Sequence, residues 1–315
     1  MGKPAESPRW RYVAYGRSRS HIPQILAYAL CTSGEECLYV KTLSYSNGNP
    51  QLGQEIAKKV GIEGKGVMTY LNPIMIPYTR RHISLEYRRE HVMKPEDLTI
   101  KIFDVAGHRV YAVLYNPAQT FGIIQSWGQP GIGISIRGAE ELLKGVDAMA
   151  EVPFQPDNLP APTFTPESWA HAGLRDRINE LVHRAAIDPA AVRCQSKDVF
   201  LFPTGMAAIY HTTNLLLEQR PGTAVVLGVV FHNTHHHLHE ESPNGFKHFG
   251  KVDEDGIDGM ESWLEGEKGA GRPVSFVIVE FPGNPTLDCV NLHRLKRLVR
   301  TLPQYYQAHI HEELI

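Results

Sequence analysis

Apolar residues recur along this chain with two different periods, and the alternation between them outlines a fold. Leu174, Ile178, Leu181, Val182 and Ala185 fall at helical spacing and predict a helix that packs one stripe against a neighbour. Ile257, Met260, Trp263 and Leu264 share one helical face, and Leu292, Leu295, Leu298 and Val299 share another. Between these patterns lie runs of near-continuous hydrophobicity, Ala224 to Phe231 and Val274 to Phe281, which read as strands buried on both faces of a parallel sheet. A shorter run, Val199 to Phe202, precedes Pro203-Thr204-Gly205 and a helical stretch from Met206 to Gln219, giving strand, turn, helix. The alternation predicts α/β layers.

Upstream the pattern is mixed. A helix is expected from Gln51 to Val60, a hairpin from Thr99-Ile100-Lys101-Ile102-Phe103 through Gly107 to Val110-Tyr111-Ala112-Val113-Leu114, and a helix from Ala139 to Ala148. Prolines at 153, 156, 160, 162 and 166 remove amide donors and favour extended backbone, which marks a linker. Thr165-Pro166-Glu167 reads as an N-cap followed by proline at the first helical position. The division is an α+β region over 1–151, a proline-rich linker over 152–168, and an α/β segment over 169–315.

Charge adds little direction. With 32 Lys+Arg against 34 Asp+Glu among 315 residues, the formal charge of -2 gives no global pull toward nucleic acid or anionic membrane. No stretch is apolar for long enough to suggest a membrane span, and no signal-peptide pattern follows Met1. Cys31, Cys37, Cys194 and Cys289 are scattered without a Cys-x-x-Cys pair, so reduced thiols and a soluble, cytoplasmic protein are expected.

Candidate chemistry concentrates in the second half. In Phe200 to Tyr210 a turn containing Thr204 and Gly205 opens a helix, so unpaired amides and the positive helix end converge where a phosphate would fit, although most such turns bind nothing. Glu280-Phe281-Pro282-Gly283-Asn284-Pro285-Thr286-Leu287 reads locally as a strand ending in a turn. His235 and His239 stand one helical turn apart, a spacing that suits two metal ligands, but no further ligand cluster accompanies them and exposed histidines are the plainer reading, so no metal is assigned. Asp253-Glu254-Asp255-Gly256 fails as a calcium loop, because its sixth and twelfth positions would be Asp258 and Leu264.

Taken together, Thr204-Gly205-Met206-Ala207-Ala208, the segment Val225 to Thr234, and Glu280 to Leu287 resemble elements of the pyridoxal-phosphate enzymes of cysteine/methionine metabolism, the transsulfuration family, nearest its fungal-type cystathionine γ-synthases. Gly131-Ile132-Gly133-Ile134-Ser135-Ile136-Arg137-Gly138-Ala139-Glu140 is similar to a further element of that branch. The resemblance implies an aspartate aminotransferase-like, fold type I large domain and pyridoxal 5'-phosphate as cofactor. It implies that Gly205 and Met206 hold the phosphate with Thr204 in the family's serine position, that Phe231 stacks on the ring where the family usually has tyrosine, and that Asn284 donates to the phenolic oxygen. A phosphate contact in a neighbouring subunit is implied for Arg137, whose plainer role is a solvated surface residue.

The resemblance also implies substrates, an O-acylated homoserine and cysteine, and a homo-oligomer active in methionine biosynthesis. γ-Lyase and sulfhydrylase chemistry fit the same cofactor-binding residues, and a non-catalytic, partner-binding chain is the rival from another class. The family's Schiff-base lysine element has no counterpart here, and neither Lys247 nor Lys251 occupies its place. Glu312 falls where the family has an aspartate for the pyridinium nitrogen, in a context that fits poorly. The expectation is therefore a chain truncated before that lysine, without catalytic residues of its own.

Overall fold

The Thr99–Tyr115 hairpin is apolar at nearly every position toward its second strand, which suits strands covered on both faces. The computed structural model describes residues 50–86, 91–164, 167–283 and 286–301. In chain order the elements are α1 (Pro50–Lys59), β1 (Gly66–Tyr70), α2 (Met75–Ile83), β2 (Thr99–Val105), β3 (His108–Tyr115), α3 (Thr120–Gly128), α4 (Ile136–Lys144), β4 (Ala150–Glu151), α5 (Trp169–Ala185), α6 (Gly205–Gln219), β5 (Thr223–Leu227), α7 (His232–Glu241), β6 (Phe246–Phe249), α8 (Glu254–Gly269), β7 (Val274–Ile278) and α9 (Leu292–Thr301).

The first sheet is antiparallel, in the order β1-β3-β2-β4. β2 and β3 are joined through Ala106 and Gly107, with φ of 49° and 78°, the left-handed pair that a tight hairpin turn requires. Side chains then alternate between two cores. Ile100, Ile102, Tyr111 and Val113 pack with Met75, Ile76 and Ile83 of α2 and Ile123 of α3. Phe103, Val105, Val110, Ala112 and Leu114 pack on the other face with Leu52 and Ile56 of α1 and Ala139 and Leu142 of α4.

The second sheet is parallel, in the order β6-β5-β7. Val225 and Leu227 of β5 face Ile257, Met260 and Leu264 of α8 and Leu295 and Leu298 of α9. Ala224 and Val226 face Leu217 of α6 and Leu238 of α7. Helices on both faces explain the unbroken hydrophobic run of β5. β6 was not anticipated, since Phe246-Lys247-His248-Phe249 has the mixed composition of an edge strand.

Four expectations are corrected. α4 begins at Ile136 rather than Ala139, because the Ser135 hydroxyl accepts the Gly138 amide at 3.0 Å and caps the helix there, while Val146–Ala148 is a separate 3-10 turn. Val199 to Phe202 is not a strand: it has no pairing partner among the described residues, and the Val199 carbonyl accepts from Arg175 Nε instead. The helix expected to start at Thr165-Pro166, residues outside those described, starts at Trp169, with the Ser168 amide donating to His171 Nδ1 at 2.9 Å. Its stripe is only partly buried: Leu174 is 54% exposed, while Ile178, Leu181 and Val182 are half-buried.

Core truncation and stripe truncation should therefore differ. Ile102→Ala empties a fully buried site in the antiparallel sheet and should lower stability by roughly 2–5 kcal/mol. Leu174→Ala should cost under about 0.5 kcal/mol, as exposed substitutions generally do. Urea denaturation of both variants checks the difference, and equal losses would mean that the α5 stripe is covered in solution.

Candidate functional site

The most constrained helix end is that of α6. Thr204 is its N-cap, extended at φ -149° and ψ 164°, and its hydroxyl accepts the Ala207 amide at 3.0 Å. The same hydroxyl donates to the Gly131 carbonyl at 2.9 Å, so the loop before α4 rests on this helix end. Gly131 has φ of 60°, and a Cβ there would stand 2.2 Å from Thr204 Oγ1 and 2.7 Å from the Ala207 amide nitrogen. Only glycine allows that approach.

This arrangement divides the helix-end donors. Ala207 is satisfied by its cap, whereas the Gly205 and Met206 amides make no hydrogen bond to any described residue. The first turn carries no acidic side chain, although such a position favours one. Two free amides at an uncompensated positive helix end suit a phosphate. Thr204 is committed to the cap and to Gly131, so its role is to hold the turn.

Beside this end lies the start of α7. Thr234 Oγ1 sits 3.9 Å from Met206 Sδ, bringing the first turns of α6 and α7 together. Phe231 is the N-cap residue of α7 and is half-buried, with its amide donating to Glu280 Oε1 at 2.7 Å. Burial raises the Glu280 carboxyl above its ordinary value, and the Phe231 amide partly offsets that. The two segments leave the carboxyl ends of β5 and β7, where open α/β sheets place their ligands.

The predicted site residues thus separate. Gly205, Met206, Thr204 and Phe231 lie on adjoining helix starts, while Asn284 lies outside the described residues, as does Glu312. Arg137 is exposed on the first turn of α4, after the loop that touches Thr204. Glu280 and Gly131 were not singled out by sequence reasoning. A glycine beside a helix start leaves no sign of what it approaches, and a glutamate at a strand end has many roles.

A second polar cluster lies at the other end of α7. Glu241, with a side chain 3% exposed, accepts from the Tyr78 hydroxyl at 2.7 Å and from Arg81 at 3.0 Å, both on α2. His82 Nδ1 and His237 Nδ1 stand 3.5 and 3.6 Å from the same carboxylate, beyond good hydrogen-bond contact but close enough to act on its charge. The Thr213 hydroxyl donates to the Ile209 carbonyl at 2.8 Å, so at 3.0 Å it accepts from His237 Nε2, which leaves Nδ1 facing Glu241. Gln129 donates to Glu240 at 2.8 Å. Burial alone would raise the Glu241 carboxyl, but His237, His82 and Tyr78 outweigh it and hold it well below the usual carboxylate range. Burial, then the Glu241 charge, pushes the Tyr78 hydroxyl far upward, so it remains a donor.

The histidines of α7 differ in exposure: His232, His236 and His239 are exposed, as expected, whereas His235 is half-buried. His237 is buried, and His235 packs edge-on against Phe246 and His248 and stacks on His239 with centroids 6.0 Å apart. Among the described residues no group of three or more His, Cys, Asp or Glu is placed to hold a metal ion, and no helix is long and apolar enough to cross a membrane.

Comparison with known proteins bears on this site. No family model and no solved structure matches the chain. It is 32% identical over 201 residues to a protein named alanine racemase ungC from Aspergillus violaceofuscus, covering 60% of this chain and 34% of that protein. It is 33% identical over 110 residues to the cystathionine γ-synthase of Neurospora crassa, covering 33% and 17%. It is 38% identical over 105 residues to the cystathionine γ-synthase-like enzyme iboG2 of Amanita muscaria, covering 32% and 17%. The chain is thus similar to fungal cystathionine γ-synthases and cystathionine γ-synthase-like proteins over part of its length, and it spans about a third or less of the length of these three.

The Glu241 cluster yields a stability prediction. Glu241→Ala removes the carboxylate that accepts from Tyr78 and Arg81 and should cost roughly 3 kcal/mol. Because the folded carboxyl lies below its unfolded value, its contribution is complete above about pH 4.3 and is lost as pH falls through the folded value. Urea unfolding of the wild type and Glu241→Gln across acidic pH should show the wild-type advantage shrinking only below that range. An advantage independent of pH would mean that the carboxylate charge is not what stabilises this contact.

Proposed function

We propose that this chain carries the phosphate-holding part of a pyridoxal 5'-phosphate enzyme of the cystathionine γ-synthase-like kind, built on a fold type I α/β domain. The observation that supports it is the pair of unsatisfied Gly205 and Met206 amides at an α6 start that adjoins Phe231. On this reading residues 1–151 form an N-terminal region, 152–168 a linker and 169–315 the first part of the cofactor domain. Gly205 and Met206 bind the phosphate, Phe231 covers one face of the ring and excludes water, and Asn284 donates to the phenolic oxygen. Arg137 reaches the phosphate of a second subunit in a homo-oligomer.

When bound, the cofactor supplies an electron sink for negative charge developing next to an amino group. The residues named here bind and orient it; none moves a proton. For the longer protein we favour replacement of the acyl group of an O-acylhomoserine by cysteine, in the cytoplasm, as a step toward methionine. A second reading, racemisation at the α carbon of a small amino acid, draws on the longer match to the protein named alanine racemase.

Gly205→Pro tests the phosphate site. Proline is favoured at the first helical position and Thr204 is already extended, so the substitution removes one amide donor and keeps the helix start. The Kd for pyridoxal 5'-phosphate, read by fluorescence quenching, should rise about tenfold, with helical circular dichroism unchanged. An unchanged Kd would reject this placement. Assays of the longer protein, with Gly205 unaltered, on O-acylhomoserine plus cysteine and on L-alanine separate the two reactions by their products, cystathionine or D-alanine.

A further inference from the structure

The loop between β5 and α7 is fixed at both ends by different means. At its start Gly228, at φ 83°, donates its amide to the Phe249 carbonyl at 2.7 Å, and its own carbonyl is 2.8 Å from His248 Nε2. At its end the Phe231 amide reaches across to Glu280, beyond the last residue of β7. Val230 between them is buried, so the loop has little freedom except through that last contact. Phe231 supplies no side-chain cap to α7, and its ring carries no polar atom. The ring packs on His232, with centroids 4.5 Å apart, and its origin is set by the backbone at its own α carbon.

A half-buried carboxylate that accepts a single backbone amide is a costly way to satisfy one N–H. Glu280 Oε2 makes no hydrogen bond to any described residue, so the contact with Phe231 is what the side chain provides here. We infer that Glu280 is a positioning residue, which aims the Phe231 ring at the cofactor by holding the Phe231 amide. This rests on the reading that pyridoxal 5'-phosphate binds beside Phe231.

The test uses the full chain with Glu280→Gln, which keeps an acceptor oxygen, Glu280→Met, which keeps length without one, Phe231→Leu, and the Glu280→Met/Phe231→Leu double variant. Two quantities are read: hydrogen exchange of the Phe231 amide without cofactor, and the Kd for pyridoxal 5'-phosphate with the circular dichroism of its visible band. Glu280→Met should speed exchange and raise Kd about tenfold, the scale of one lost hydrogen bond to a charged group. Glu280→Gln should retain both to within about twofold. Phe231→Leu should raise Kd with exchange still protected, and the double variant should bind no more weakly than Phe231→Leu alone, since both changes act through one ring.

Faster exchange in Glu280→Met with wild-type Kd and dichroism would overturn the inference and leave the cofactor reading standing, as would additive losses in the double variant. If Glu280→Met does not fold, the Gln variant decides, because a large rise in its Kd with Phe231 exchange still protected overturns positioning. A wild-type chain that does not bind pyridoxal 5'-phosphate overturns the cofactor reading itself, and the inference with it.

Discussion

A carboxylate with almost no access to water must be compensated where it lies, and at Glu241 the compensation comes from another layer of the molecule. Tyr78, Arg81 and His82 belong to α2, which covers the antiparallel sheet, whereas Glu241 ends the helix that covers the parallel sheet. Among the described residues, α2 supplies the donors at hydrogen-bond distance from Glu241. Apolar burial holds each sheet to its own helices, but it is non-directional and would tolerate a small slide between them. The Glu241 contacts require particular atoms at particular distances, and so fix how the two layers meet.

The same constraint reaches the candidate cofactor site through α7. This helix has ten residues, about 15 Å of nearly rigid length, with Glu241 at one end and Phe231 just before the other. Gln129 grips Glu240 near the far end, and two residues later Gly131 rests on the start of α6. One short loop of the N-terminal region therefore touches both helices whose starts face the proposed phosphate position. The N-terminal region is a structural support of that position whether or not any of its side chains reaches a ligand.

Much of this was legible in the sequence, for identifiable reasons. The unbroken run around Val225 and the helical spacing of Ile257, Met260 and Leu264 both report burial, and burial is what those patterns encode. The hairpin turn at Gly107 was legible because left-handed backbone favours glycine. Val199 to Phe202 misled because apolar runs show burial but not pairing, and α5 because an amphipathic stripe does not name what covers it. The Glu241 cluster was hidden because its partners lie some 160 residues apart in sequence. One sign was available. Glu240 and Glu241 occupy the last turn of a helix, where the macrodipole disfavours negative charge, and such placement asks for a specific cationic or donor partner.

The substitution pattern around Phe231 follows from the same accounting of polar groups. A tyrosine at a strand end carries a hydroxyl that can be tied down by its own hydrogen bond, so the ring has an anchor at its far edge. A phenylalanine has none, and packing alone leaves a half-buried ring some freedom. The remaining polar handle on that residue is its backbone amide, which in the first position outside a helix has no intrahelical partner. Glu280 takes that amide, and it does so from the neighbouring strand end, where a shift of β7 relative to β5 would be felt at once. The backbone at Phe231 is thereby tied to the register of the parallel sheet.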